Sequence, residues 1–95
     1  MAKYELMFIT KTGLRDEEKE AILKQVAEPI TKNEGKVIKK DLWLDKHRLT
    51  YSIKKQKEGT YFLVELVIDK GAIIKLNQAL RLNENILRFQ IVKLE

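Results

Sequence analysis

The sequence predicts an α+β fold whose strands and helices follow the order β-α-β-β-α-β. Two segments carry apolar residues at helical spacing, and four others are rich in β-branched and aromatic residues. The 95 residues are 44% hydrophobic and 35% charged, which is typical of globular proteins and enough for one core. We therefore expect residues 1–95 to form a single domain.

The first predicted elements are a strand and a helix. Residues 3–10 are apolar on both faces, as in a strand inside a sheet, and Thr12 and Gly13 end the strand. Asp16 can cap a helix whose first turn is acidic, and the helix continues to about Asn33. Gly35 is expected to cap its C-terminus. The apolar stripe of this helix comprises Ile22, Val26, Pro29 and Ile30.

The middle of the chain predicts a hairpin. Residues 36–54 have two β-rich stretches, 37–44 and 49–53, with charges between them. This pattern indicates one long strand with a kink or bulge near residues 45–47. Residues 54–59 are turn-like in composition, and residues 60–68 are the clearest strand of the chain.

The last predicted elements are a second helix and a fourth strand. Asp69 can cap a helix that runs through Leu82, residues 83–85 form a turn, and residues 86–94 form the strand. The resulting order is the ferredoxin-like arrangement, an α+β sandwich in which two helices cover one face of a four-stranded antiparallel sheet. The other sheet face is left without helices.

We call this helix-free side the open face. Strand alternation assigns to it Glu5, Met7, Ile9, Tyr61, Leu63, Glu65, Arg88, Gln90 and Val92. Met7, Ile9, Tyr61 and Leu63 form an apolar centre, which favours a partner site over a face that meets water. Scattered surface apolar residues are nevertheless normal. Trp43 could stack on a base, fill a partner's pocket or simply cover the sheet edge.

The positive charge is concentrated in one quarter of the chain. The net charge is +5, and residues 36–57 hold eight Lys or Arg against two Asp, a net +6. A basic footprint of this kind attracts polyanions, of which nucleic acid is the commonest. The alternative is a lysine-rich strand edge that prevents aggregation between sheets.

The composition excludes most catalytic and metal chemistry. There is no cysteine, and His47 is the single histidine, so we expect no metal site, no cofactor and no Cys-His or Ser-His pair. None of the four glycines lies in a phosphate-binding motif. No segment approaches the roughly 20 apolar residues of a membrane span. We expect a soluble, cytoplasmic protein that is not an enzyme.

Four motifs stand out in the sequence: EGKV from Glu34, W-x-x-K-H-R-L-T-Y-S-I-K from Trp43, GTYFLVEL from Gly59 and LRLNENILR from Leu80. Together they resemble the bacterial small-subunit ribosomal protein S6 family. The resemblance extends from KYELMFI at Lys3 to IVK at Ile91. Asp45 departs from it because the family usually has Gly there, as do Thr50 and Ser52, where the family has small residues or Pro. Trp43 is shifted by about one residue.

The resemblance implies a ferredoxin-like protein that pairs with ribosomal protein S18 and binds the central domain of small-subunit (16S) ribosomal RNA as that heterodimer. On this hypothesis the chain acts on the cytoplasmic ribosome and is monomeric until its partner arrives. The leading RNA contacts are Lys46, His47, Arg48 and Lys54, and the secondary ones are Lys3, Arg88 and Lys93. The partner contacts are Met7, Ile9, Trp43, Tyr61 and Leu63.

Two alternatives remain open at this stage. A stand-alone RNA-recognition motif shares this element order, but it uses two aromatic residues on its third strand and one on its first. Here Tyr61 is the only aromatic residue assigned to the open face. A small regulatory domain that self-associates through its open face would form a stable homo-oligomer.

Overall fold

A computed structural model describes the backbone of residues 1–53 and 56–94 and the side chains of residues 1–41 and 59–94. Strand β1 (Ala2–Thr10) is followed by helix α1 (Asp16–Lys32) and the strands β2 (Lys36–Ile53) and β3 (Gln56–Ile68). A short 3₁₀ turn (Lys70–Ala72) then leads into helix α2 (Ile73–Leu82) and strand β4 (Arg88–Lys93). The predicted order of elements is confirmed.

The four strands form one antiparallel sheet in the order β2-β3-β1-β4. Strand β1 pairs with β3 along its whole length, from Ala2 opposite Ile68 to Thr10 opposite Thr60. On its other side, β1 pairs with β4. Strands β1 and β3 are therefore central, and β2 and β4 are the edges. The predicted ferredoxin-like fold is confirmed.

The hydrophobic core lies between the sheet and the two helices. Alternate residues of the central strands face the helices, and Phe8 stacks on Phe62 with ring centroids 4.9 Å apart and an interplanar angle of 11°. The helices contribute Ile22, Val26, Ile30, Leu76 and Leu80, all buried. The face of each central strand that was predicted to contact the helices does so.

Helix α1 begins one residue earlier than predicted. Its N-cap is Arg15, and Asp16 occupies the first helical position. The Arg15 backbone N–H donates to Glu18 Oε1 at 3.2 Å, and Arg15 Nε donates to the same oxygen at 3.3 Å. These bonds, the backbone one first, lower the pKa of Glu18. The Glu18 carboxylate thus bonds the backbone of the N-cap residue, which is the contact that the third helical residue makes in a capping box.

The C-terminal end of α1 corrects the role predicted for Gly35. Asn33 is the C-cap, and Glu34 is the residue in the left-handed region, with φ of 65°. The N–H of Gly35 donates to the Ile30 carbonyl at 2.8 Å, and that of Glu34 to the Thr31 carbonyl at 3.0 Å. This pair of bonds is the Schellman motif. Gly35 is required for a different reason, because a Cβ there would lie 2.9 Å from the Ile30 and Val67 carbonyl oxygens.

The hairpin is longer than predicted. Strand β3 begins at Gln56, so residues 56–59 belong to the strand and not to the predicted turn. Pairing with β2 extends the ladder, with Arg48 opposite Glu58 and Ile53 opposite Gln56. Residues 54 and 55 lie outside the described residues. Polar composition led to the prediction of a turn at residues 56–59. Polar residues are also found in a two-stranded ladder that no helix covers, so composition does not separate the two structures.

Strand β2 is irregular. Its register against β3 shifts between Val37 and Lys39, between Leu42 and Leu44, between Leu44 and His47, and between Arg48 and Ile53. At each of the first three shifts β2 holds one residue more than β3 does, which is the definition of a bulge. The bulge predicted near residues 45–47 is confirmed.

The turn between α2 and β4 is attached to α1. Asn83 Oδ1 accepts from the Asn85 backbone N–H at 2.9 Å, and the side-chain amides of Asn83 and Asn85 both donate to Gln25 Oε1 at 3.1 Å. Ile86 follows this turn and is buried in the core. Strand β4 begins at Arg88, two residues later than predicted. Asp69, which was predicted to cap the second helix, instead caps the 3₁₀ turn before it, because its carboxylate accepts from the Gly71 N–H at 3.3 Å, and Ala72 is the N-cap of α2.

Candidate nucleic-acid and protein interface

The open face consists of cross-strand rows fixed by the register. The row Tyr61–Ile9–Arg88 lies next to the row Leu63–Met7–Gln90, which is followed by Glu65–Glu5–Val92 and by Val67–Lys3. Because side chains alternate along a strand, all of these lie on the side opposite the core residues. The nine residues predicted for the open face therefore share it, with the apolar ones in adjacent rows.

The predicted partner contacts differ in how much surface they offer. Met7, Tyr61 and Leu63 are partly exposed and adjacent. Ile9 retains only 3% of its accessible surface, although it is not part of the cluster that packs against the helices. Val92, which is 45% exposed at the β4 edge, adds apolar surface to the same face. The available apolar patch is thus centred on Met7 and Leu63 more than on Ile9.

The three secondary basic residues do not converge. Lys3 and Arg88 share the open face but lie far apart on it. Arg88 is opposite Ile9, which is six residues from Lys3 along β1, or about 20 Å at the usual rise of a strand. Lys93 pairs with the core residue Tyr4, so its position lies on the helix side of the sheet. Lys3 Nζ is 4.0 Å from Glu65 Oε2, and both side chains are partly exposed. These residues can contact a large ligand at separate points.

The leading basic residues belong to the β2–β3 hairpin. His47 is opposite Gly59 and Arg48 is opposite Glu58, whereas the pairing of β1 with β3 ends at Thr60. The hairpin therefore extends past β1 as a two-stranded arm, which we call the basic arm (residues 46–53 and 56–59). The side chains of Lys46, His47 and Arg48, and all of Lys54, lie outside the described residues.

Trp43 also lies on β2, at a bulge. Leu42 is opposite Phe62 and Leu44 is opposite Tyr61, so Trp43 is the extra residue between two consecutive β3 partners. Its side chain is likewise outside the described residues. A bulge changes the direction of the neighbouring side chains, so a one-residue shift of the kind noted for Trp43 in the sequence can be accommodated at this position.

Basic residues that were not named as contacts continue along the same edge. Lys36, Lys39 and Lys40 are exposed on β2, and Lys39 Nζ lies 3.4 Å from Asp41 Oδ2. They were included in the predicted charge tract, and the sheet order shows that this tract follows one edge strand. The described part of the edge can therefore contribute to the same electrostatic footprint as the basic arm.

Within the described part of the chain, no group of three His, Cys, Asp or Glu side chains could hold a metal ion. Neither described helix combines the length and apolar character that crossing a membrane would demand. An open sheet face beside a basic edge is suited to contact with macromolecules.

These features define a class: a small ferredoxin-like α+β domain with an open sheet face and a basic edge hairpin. Comparison with known proteins is more specific. The family described as Ribosomal protein S6 matches residues 3–93. The chain belongs to the ribosomal protein S6 family.

Individual relatives agree with this assignment. The chain is 40% identical over its full length to small ribosomal subunit protein bS6 of Campylobacter lari, of which it covers 76%. It is 34% identical over its full length to bS6 of Corynebacterium glutamicum, of which it covers 99%. The crystal structure of 30S ribosomal protein S6 from Thermotoga maritima superposes with a TM-score of 0.84 at 28% identity, covering 97% of this chain and 86% of that one. The resemblance predicted from the motifs is confirmed.

More distant structures share only the fold. A chemotaxis kinase CheA P2 domain from Thermotoga maritima superposes with a TM-score of 0.56 at 18% identity, covering 98% of each chain. This similarity shows that the same sandwich occurs in a signalling protein, and that fold alone does not define function.

Proposed function

We propose that this protein is a structural constituent of the small ribosomal subunit that binds 16S ribosomal RNA together with ribosomal protein S18. The family match along residues 3–93 is the observation that carries the proposal. The relatives are named as small ribosomal subunit proteins, and an RNA-containing particle in the cytoplasm is the setting in which such a protein acts.

The basic arm is the proposed RNA contact. Lys46, His47 and Arg48 belong to the arm that extends past β1, and Lys54 follows that part of β2 in the sequence. Folded RNA is recognised mostly through its phosphates and its shape, and a two-stranded arm with a net positive charge suits that contact. Lys3, Arg88 and Lys93 are proposed as separate, secondary contacts.

The open face is the proposed site for S18. Met7, Tyr61 and Leu63 form its exposed apolar part, and Ile9 supports them from below the surface. Trp43 on β2 is proposed to border the same contact. An apolar centre with a polar rim is the usual anatomy of a protein interface. The isolated protein is accordingly expected to be a monomer.

The proposal is tested by RNA binding at several salt concentrations. The double variant Lys46→Ala/Arg48→Ala is titrated into a fragment of the 16S central domain in the presence of S18. Each lost phosphate contact should flatten the slope of log K against log salt by about 0.7–0.9, so the pair should change it by roughly 1.5. Binding at moderate salt should weaken by about a hundredfold if each contact contributes about tenfold.

The matched control is Lys24→Ala/Lys32→Ala. Both lysines are exposed on α1, on the far side of the core, and the control removes the same charge. It should leave the salt slope nearly unchanged. Equal slopes for the two double variants would mean that the basic arm makes no specific RNA contact, and the assignment would be abandoned.

A further inference from the structure

The outer edge of β4 presents an unusually regular row of backbone groups. Strand β4 is the last strand of the sheet and pairs only with β1 among the described strands. The Leu94 N–H donates to the Lys3 carbonyl at 2.8 Å, so these two residues form a hydrogen-bonded pair. Because such pairs alternate in antiparallel ladders, the N–H and C=O groups of Phe89, Ile91 and Lys93 point away from β1.

The opposite edge of the sheet is different. Strand β2 changes register four times against β3, and its bulges interrupt any continuous row of outward-facing groups. Bulges are a common means of protecting a strand edge from unwanted pairing. Strand β4 has no register change from Lys93 to Arg88 and contains no proline. It is the edge of this sheet that can accept another strand.

A groove lies beside this edge. Its volume is about 390 Å³, and it is lined by Asn77, Leu80 and Arg81 of α2 and by residues 86–91. A strand added to β4 would lie about 4.8 Å from it. Every second side chain of that strand would then face Leu80 and the α2 surface, where apolar side chains fit.

The charges around the groove select the partner. Arg81 lines it from α2, and Arg88 and Lys93 are exposed at the two ends of β4. No Asp or Glu is among its lining residues. A ligand with negative charge is therefore favoured, and the regular spacing of outward N–H and C=O groups matches a peptide backbone better than a nucleic acid.

We infer that the groove between α2 and β4 binds an extended acidic segment of a partner protein, which adds to the sheet as a fifth strand. Apolar residues at alternate positions of the segment face α2, its acidic residues on the other side of the sheet lie near Arg88, and Arg81 and Lys93 add positive charge on the α2 side. The site is at the sheet edge opposite the basic arm, so it is separate from the leading RNA contacts proposed there, although it includes Arg88 and Lys93, the proposed secondary contacts.

The test uses a blocked synthetic peptide of about eight residues in which Glu and Val alternate, a length that spans β4. It is titrated into the ¹⁵N-labelled full chain, and amide hydrogen exchange is followed by NMR. At saturation, exchange at Phe89, Ile91 and Lys93 should slow by about tenfold or more, because their N–H groups become hydrogen-bonded. Gln90 and Val92, which already face β1, should change little. A peptide with Lys in place of Glu should not bind.

Two variants isolate the causes. Lys93→Pro removes an outward N–H without removing a bond to β1, and Lys93→Ala is its matched control. The Kd of the Glu-Val peptide should be about tenfold higher for the proline variant than for the alanine variant. Arg81→Glu, which leaves the strand edge intact, should also weaken binding by reversing a charge at the groove.

Three results would overturn the inference. They are unchanged exchange at millimolar peptide, equal binding of the Lys-containing peptide, and displacement of the peptide by a short oligouridylate that shifts the same amides. The last result would identify the groove as an RNA site. Sedimentation of the free chain as a dimer paired through β4 would also overturn it, because a second copy would then be the occupant.

Discussion

Gly35→Ala should destabilise the protein although alanine restricts the unfolded chain more than glycine does. The added Cβ would lie 2.9 Å from three atoms: the Ile30 carbonyl oxygen, the Val67 carbonyl oxygen and Ile68 Cγ1. Two of the three are backbone atoms, so a side-chain rotation cannot relieve the contacts. The end of α1 and strand β3 would have to separate, which also strains the 2.8 Å bond from the Gly35 N–H to Ile30.

The magnitude follows from these contacts. Overpacking of this kind costs about 1–3 kcal/mol, and the weakened hydrogen bond adds about 1 kcal/mol. Alanine recovers about 0.4–1 kcal/mol by restricting the unfolded chain. The free energy of unfolding should therefore fall by about 2 kcal/mol. In a domain of this size, that lowers Tm by roughly 10 °C.

The neighbouring residue provides matched variants. Glu34 has φ of 65°, a conformation that costs an L-residue about 1–2 kcal/mol. Glu34→Gly removes this cost but raises the conformational entropy of the unfolded chain, which offsets part of the gain. The variant should therefore be more stable by about 0.5–1 kcal/mol. Glu34→Ala keeps the Cβ and should be nearly neutral. Urea unfolding gives all three values from the shift of the midpoint at constant m. Unchanged stability of Gly35→Ala, or destabilisation by Glu34→Gly, would refute the reasoning.

Two further predictions concern the polar contacts of α1. The pKa of Glu18 is lowered in the folded protein, so its charge stabilises the fold above the ordinary glutamate pKa and this stabilisation is lost as pH falls through the lowered value. Glu18→Gln should therefore destabilise the protein at about pH 7, and the difference from the parent protein should shrink as the solution is acidified, as urea midpoints across this pH range would show. A loss that does not change with pH would contradict the role of the charge. Gln25→Ala removes the acceptor of the Asn83 and Asn85 side-chain amides and should lower the free energy of unfolding by about 1 kcal/mol. Amide hydrogen exchange at Ile86, next to this turn, should become faster. Unchanged exchange there would mean that other contacts hold the turn.

Much of the fold was predictable because its signals are local or periodic. The alternation in residues 60–68 and the helical spacing of Ile22, Val26 and Ile30 are direct consequences of which side chains face the core. The start of β3 at Gln56 was missed because its ladder depends on a partner strand, which polar composition does not reveal. Strand ends are set by pairing across the sheet, and local sequence does not encode that pairing.

The candidate site was predictable in part. Charge counting located the basic tract, and the sheet order assigned the described part of it to one edge. The register also confirmed which residues share the open face, but the near-complete burial of Ile9 depends on tertiary packing that alternation does not describe. The groove beside β4 has no sequence signal of its own, because α2 and β4 form it only when both have packed on the core.

The position of β1 in the sheet has a consequence for biosynthesis. This strand precedes both of its neighbours along the chain, since Thr10 pairs with Thr60 and Tyr4 pairs with Lys93. During translation an apolar strand must therefore leave the ribosome and wait until β3, and finally β4, have been synthesised. The addition of β4 is then the last step of sheet formation, and the nascent chain exposes Leu6 and Phe8 until β3 has been synthesised.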